Sequence, residues 1–208
     1  MNDRLILTDC DGVLCNWIDG FESFIQSRGL VTSQSLDTSH YCLTQRYGIG
    51  QTRIVELIEE FNNSTAIADL DCYLDSKEYV TRLASQGFRF TVISALGSSA
   101  QARRNRVANL EKHFGNVFED IICLPLGDSK RSTLSNWASS GRFWLEDHPE
   151  HALSGAELGL RSVLFLSDYT AGTALNTCDR VSKVSSWEDL HSLLNSHYNC
   201  EVGSLPGC

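Results

Sequence analysis

The sequence predicts an α/β protein: a mostly parallel sheet flanked by helices, with a small helical insertion after the first strand. Three observations lead there. Short runs of apolar or β-branched residues recur along the chain, the pattern of strands covered on both faces. Helical patterns that stop at glycine alternate with these runs, as in βαβ units. One long stretch, between the first apolar run and residue 88, holds helical patterns and no comparable strand run.

The first strand is LILT at 5–8, which runs directly into Asp9. Residues 17–74 contain WIDGFESFIQSRG and QTRIVELIEEFNN, both helical in pattern. About fifty residues is more than a βα crossover needs. Residues 17–75 are therefore expected to form a helical insertion over the sheet edge, with 1–16 and 76–199 as the core. KEYVTRLASQG (77–87) carries Tyr79, Val80 and Leu83 on a helix stopped by Gly87, a natural C-cap. FRFTVIS (88–94) is a strand, SAQARRNRVANLEKHFG (99–115) a helix, and EDIICL (119–124) and RFWLE (142–146) are strands. PEHALSGAELG (149–159) opens on proline, which suits a first helical turn because its missing N–H would be unpaired there anyway. RSVLFL (161–166) is the next strand. Beyond 168 the chain offers a last strand and the helix SWEDLHSLLNS (186–196), with Ser186 as its N-cap. A loose tail is expected at 200–208.

Composition narrows the function. The 208 residues suit one domain, or one domain with an insertion, and 42% hydrophobic residues provide for a core. A formal net charge of −9 argues against binding nucleic acid polymers, whose phosphates require a basic surface. It leaves room for a small phosphorylated ligand at a local positive site. The segment MNDRLILTDC has no long apolar core and carries acids early, unlike a signal peptide. No run approaches the ~20 apolar residues of a membrane helix. A soluble, cytoplasmic protein is expected, as a monomer or homodimer. The eight cysteines include no CxxC pair and are read as small buried hydrophobes in a reducing compartment. His191, His197, Cys200 and Cys208 match none of the usual zinc spacings.

The chemistry lies at the strand ends. RLILTDCDGV places Asp9 and Asp11 two apart, with Gly12 behind them. An EF-hand fails, because Leu7 and Ile18 would occupy ligand positions. A surface turn is the plain alternative. It loses ground because FRFTVIS ends at Ser94, LPLGDSKR places Lys130 behind the next strand, and RFWLE ends at Glu146 and Asp147. The GDSKRS segment lacks the leading glycine and spacing of a Walker loop.

DCDGV at 9–13, Ser94, Lys130 and Glu146-Asp147 resemble the four motifs of the haloacid dehalogenase-like phosphohydrolases, across about residues 4–168. The resemblance implies a Rossmann-like core, a C1-type cap after the first motif, Mg²⁺ and an aspartyl-phosphate mechanism. It makes Asp9 the nucleophile and Asp11 the acid that protonates the leaving oxygen and then activates water. Crowded carboxylates can be driven apart in pKa to share such roles. It implies Mg²⁺ on the Asp9 carboxylate, the Asp11 carbonyl and Asp147. Glu146, where many members have aspartate, would orient Lys130 or a metal-bound water, and it stays a candidate ligand. Lys130 would face the phosphate, and Ser94 with the amides around Ala95 would donate to its oxygens.

Within that family the sequence is similar to the 5′(3′)-deoxyribonucleotidases. DGVLCNW sets Trp17 at an aromatic position of their first motif, ADLDCYLDSKEYVTRL matches their return from the cap, and IICLPLGDSK their lysine motif. Trp17 would stack on a nucleobase, or else pack with Phe21 and Phe24 inside the cap; His40, Tyr41 and Tyr47 are further pocket candidates. The implied substrate is a nucleoside monophosphate. A sugar phosphate or other small phosphomonoester is the alternative. A non-catalytic phosphate-binding domain is a third reading, against which stands the presence of both Asp9 and Asp11. A protein or polynucleotide phosphatase fits poorly with an acidic chain whose cap closes over small molecules.

Overall fold

The computed structural model describes residues 4–31, 37, 42–166 and 179–202, with 199–202 as backbone only. Six strands are described: β1 (Leu5–Thr8), β2 (Arg89–Ser94), β3 (Phe118–Cys123), β4 (Phe143–Glu146), β5 (Arg161–Phe165) and β6 (Ser182–Val184). They form one sheet in the order β3-β2-β1-β4-β5-β6, and every neighbouring pair is parallel. The sheet is thus wholly parallel. The inner strands β1, β2, β4 and β5 are largely buried because helices cover both faces, while the edge strands β3 and β6 are partly exposed. Successive side chains alternate between the faces: Ile6, Val92, Leu145 and Val163 join one apolar cluster, while Leu7, Ile93 and Trp144 join another.

The first cluster takes in α4 (Leu74–Ser85), α5 (Ala100–Phe114) and α8 (Trp187–Val202), through Val80, Leu83, Leu110, Trp187 and Leu190. On the opposite face lie the short α6 (Arg131–Leu134) and α7 (Pro149–Glu157). Gly155 lets α7 approach β4 closely, since a Cβ there would lie 2.4 Å from Trp144 Cδ1 and 2.7 Å from Ser162 Oγ.

Between β1 and β2 the chain makes its helical excursion: α1 (Trp17–Ser27), α2 (Leu43–Tyr47), α3 (Gln51–Asn63) and a 3₁₀ turn at Thr65–Ile67. Asn16 caps α1 by accepting from the Asp19 N–H. The two ends of the excursion meet as an antiparallel bridge between Cys15 and Cys72, with the Asn16 amide on the Asp71 carbonyl at 2.9 Å and the Tyr73 amide on the Leu14 carbonyl at 3.0 Å.

Two element boundaries differ from the sequence expectation. Helix α4 begins at Leu74, ahead of the expected 77, because Asp75 accepts from the Ser76 and Trp187 amides and orders the first turn. Helix α8 runs on to Val202, so the first three residues of the expected tail are helical. Residues 203–208 lie outside the described part, as does the side chain of Cys200.

Replacing Gly155 by valine should force Trp144 from its site under the sheet. Overpacking of this kind costs about 1–3 kcal/mol, and each kcal/mol is roughly 2–4 °C in a chain of this length. Thermal unfolding by circular dichroism should show a drop of several degrees, and an unchanged midpoint would contradict the close α7–β4 contact.

Candidate active site

The strand order reverses at β1, where β2 lies on one side and β4 on the other. In open parallel sheets ligands bind beyond the carboxyl ends of the strands at such a point. A cavity of about 540 Å³ opens there, lined on its floor by Asp9, Asp11, Gly12, Ser94, Ala95, Lys130, Glu146 and Asp147.

Local geometry explains why these side chains converge. Asp9 continues the sheet, its amide donating to the Leu145 carbonyl at 2.8 Å. The chain then turns sharply, with the amides of Val13, Leu14 and Cys15 all on the Cys10 carbonyl. Gly12 sits in the turn at φ 81°, and a Cβ there would lie 2.1 Å from Asp147 Oδ2. Only glycine meets both demands, since it tolerates positive φ and leaves room for the carboxylate.

Lys130 is the centre of the charge arrangement. It is 2% exposed, and its Nζ lies 2.7 Å from Asp9 Oδ2 and 2.9 Å from Glu146 Oε2. Burial alone would favour the neutral amine, but the charges of Asp9 and Glu146 override it and hold Lys130 protonated, its pKa raised. Glu146 is fully buried, and its other oxygen accepts from the amides of Asp147 and His148, each at 3.1 Å. Burial would raise its carboxyl; Lys130, with His151, outweighs that and holds it below the ordinary value. Asp9 Oδ1 accepts from the Cys10 amide at 2.7 Å.

The comparisons with known proteins follow this geometry. No family model matches the chain. Its sequence is 25% identical over 197 residues to an uncharacterized 32.4 kDa protein in the Gp30-rIII intergenic region of Enterobacteria phage T4, covering 92% of this chain and 69% of that protein. Among solved structures, it resembles a predicted phosphatase from Clostridium acetobutylicum at a TM-score of 0.66 and 13% identity, over 93% of this chain and 98% of that one. A haloacid dehalogenase-like hydrolase from Streptococcus pneumoniae matches at 0.65 and 13% identity, over 92% and 98% of the two chains. A hydrolase of the same family from Deinococcus radiodurans, with bound phosphate and sodium, matches at 0.57 and 16% identity, over 93% and 95%. The chain has the haloacid dehalogenase-like fold.

In this haloacid dehalogenase-like fold the donor set suits a hard divalent cation. Asp9, Glu146 and Asp147 each offer a carboxylate oxygen, and these oxygens lie within 4.8 Å of one another. Burial and the charge of Glu146 push both Asp9 and Asp147 well above the ordinary carboxyl range, the signature of a site short of positive charge. Oxygen-only ligands around negative crowding suit hard divalent cations such as Mg²⁺, Ca²⁺ or Mn²⁺.

The excursion supplies the upper wall through Trp17, Ile18, Leu43 and Arg46, with Tyr73 at its return. Trp17 is stacked on Phe21 at 4.7 Å and 13°, and its indole N–H donates to Asn62 at 3.0 Å. Tyr47 is not brought to the cavity. It is 4% exposed and turns inward against Phe21 at 5.6 Å, with its hydroxyl on Glu22 at 3.3 Å. The neighbouring Arg46 lines the cavity, but its guanidinium is buried on the same Glu22, with Nη2 at 2.6 Å and Nε at 2.7 Å. Tyr41 and His40 lie outside the described residues.

Sequence reading missed Arg46, Tyr73, His148, His151 and, beneath the floor, Arg106. Arg106 had a signal: it falls on the i, i+4 line Ala102, Arg106, Leu110, Phe114, whose other members are apolar and buried.

A pH-dependent metal effect follows. Free aspartate carboxyls titrate near 3.8, and those of native Asp9 and Asp147 titrate well above that. Between those pH values these two groups hold more protons in the native chain than in the unfolded one, so their contribution to metal-free stability falls as pH rises. A divalent cation held by these carboxylates would compete with those protons, so thermal stabilisation by added Mg²⁺ should grow as pH rises above the ordinary carboxyl range. Asp147→Asn should raise the metal-free midpoint at neutral pH and remove most of the Mg²⁺ shift. Melts with Mg²⁺ or EDTA test this, and a shift independent of pH and of Asp147 would refute the metal assignment.

Proposed function

We propose that this protein is a Mg²⁺-dependent phosphomonoester hydrolase acting on a nucleoside monophosphate, most suitably a deoxyribonucleotide. One observation carries the reading: Asp9, held by the buried Lys130, faces a cavity that also contains Asp11, Ser94 and Asp147. The likeness in fold to a predicted phosphatase and to a phosphate-bound hydrolase supports it.

In this reading an Asp9 oxygen attacks phosphorus, the bond from phosphorus to the substrate alcohol breaks, and Asp11 donates a proton to the departing oxygen. Water then attacks the phospho-aspartate with Asp11 as its base, which releases phosphate and restores Asp9. Lys130 offsets charge on the phosphoryl group, and Ser94 with the amides near Ala95 donates to its oxygens. The cation, held by the Asp9 and Asp147 carboxylates and the Asp11 carbonyl, would supply electrostatic relief for the transferring phosphoryl group. Glu146, already engaged by Lys130 and two amides, orients Lys130.

The excursion serves as the cap. Trp17 is stacked on Phe21, meets Phe61 edge-on at 5.5 Å and borders the cavity; in this reading the part of the ring on the cavity side takes a planar base. Ile18, Leu43 and Tyr73 extend the same wall. Stacking of a base on an aromatic contributes roughly 1–3 kcal/mol.

Phosphate release from nucleoside 5′- and 3′-monophosphates and from sugar phosphates tests both levels of the proposal. Turnover of deoxyribonucleotides should require Mg²⁺ and vanish in Asp9→Asn. Trp17→Ala should raise KM for nucleotides by about ten-fold or more while sparing kcat. Turnover confined to sugar phosphates would sink the nucleotide assignment, and no Mg²⁺-dependent turnover of any ester would sink the hydrolase itself.

A further inference from the structure

Helix α5 carries a cation where its packing calls for an apolar side chain. Arg106 is fully buried, and its Nη2 lies 2.5 Å from Asp11 Oδ1. Its Nε and Nη1 find no hydrogen-bond partner among the described residues. Burying a guanidinium with unsatisfied N–H groups is costly, and an apolar residue of similar volume commonly serves stability as well or better. Helix packing therefore does not account for Arg106.

What it does contact is the second aspartate of the opening motif. Asp11 stands on the turn before Gly12, its side chain 25% exposed at the cavity. Among the described residues its other oxygen has one hydrogen-bond neighbour, Ser94 Oγ at 3.5 Å, at the limit of such a bond. Asp9, Glu146 and Asp147 all crowd the same floor with like charge. Asp11 thus depends on Arg106 for a defined orientation. One carboxylate oxygen is engaged by the guanidinium while the other remains on the cavity side with Ser94.

We propose that Arg106 is a positioning residue for Asp11, holding Oδ1 so that Oδ2, when protonated, delivers its proton to the departing alkoxide oxygen. This rests on the phosphomonoester hydrolase reading above. In the first half-reaction the bond from phosphorus to the alcohol oxygen breaks as the bond to Asp9 forms, and the Asp11 proton passes to that oxygen. An alkyl alkoxide needs the proton, whereas p-nitrophenolate departs without it. Arg106 therefore acts on one class of ester and much less on the other.

The test compares single-turnover release of the alcohol from an alkyl phosphomonoester and from p-nitrophenyl phosphate. Arg106→Gln and Arg106→Met are compared with wild type, the second filling the same space without an unpaired polar group. The aryl-to-alkyl rate ratio should rise about ten-fold or more in either folded variant, since a well-placed general acid contributes roughly 10²–10⁴-fold. Adding the same substitution to Asp11→Asn should change the ratio no further, because the two residues act as one unit. Equal losses on both esters, or a further rise on top of Asp11→Asn, would overturn the positioning role while leaving the hydrolase reading intact. Failure of both variants to fold would make Arg106 a folding residue and also overturn it. A wild-type chain inactive on both esters would remove the hydrolase reading, and the role of Arg106 with it.

Discussion

A lysine with almost no exposed surface stays charged only if the fold surrounds it with anions. Lys130 meets that condition through Asp9 at 2.7 Å and Glu146 at 2.9 Å, and the arrangement of the sheet's upper edge follows from it. Asp9 directly follows β1, Glu146 ends β4, and these strands are neighbours in the parallel register Thr8 to Leu145. Lys130 reaches them from the start of α6, over the Trp144 ring at 5.5 Å. That ring belongs to an apolar cluster with Leu7, Ile93, Leu134 and Leu160 under the site. Such a floor excludes water and strengthens each charge pair above it.

The two buried cations at the floor, Lys130 and Arg106, do not balance its carboxylates. Four carboxylates, those of Asp9, Asp11, Glu146 and Asp147, face Lys130 and Arg106. Two negative charges are left over, which is the charge a divalent cation would offset. The raised pKa of Asp9 and of Asp147 expresses the same deficit. A cluster like this lowers stability by itself, and its close packing against Gly12 and Lys130 is consistent with retention for chemistry.

Amides do for the excursion what Lys130 does for the floor. Asn105 donates to the carbonyls of Asn63 and Ser64, and Asn109 to that of Leu70 at 2.6 Å, so α5 satisfies backbone that returns from the helical segment. Asn62 joins the two sides of the cavity: it accepts from Trp17 and donates to the Leu96 carbonyl at 2.7 Å, just past Ser94. A shift of the excursion is thereby coupled to the loop that leaves Ser94 at the end of β2 and carries Ala95. Buried amides that are fully partnered in this way confer a single geometry as well as stability.

The strands were legible because a strand buried on both faces must be apolar throughout, and the five apolar runs coincide with β1 to β5 within a residue at each end. The strand-end residues were legible for a related reason: in a parallel sheet every carboxyl end points to the same edge, so polar residues closing successive runs are bound to meet. The short strand β6 and the helix α2 carried no comparable pattern. Pattern also could not decide which side chains of the excursion border the site, where Arg46 lines the cavity and Tyr47, packed on Phe21, does not. Nor could it say that Arg106 faces Asp11, 95 residues away in sequence. By itself the sequence determined the layered α/β sheet and the edge on which its acids, serine and lysine gather, because periodicity and strand direction are local properties. Only the tertiary structure decided which charge pairs with which, because a buried ion's partner is whichever group the packing brings within about 3 Å.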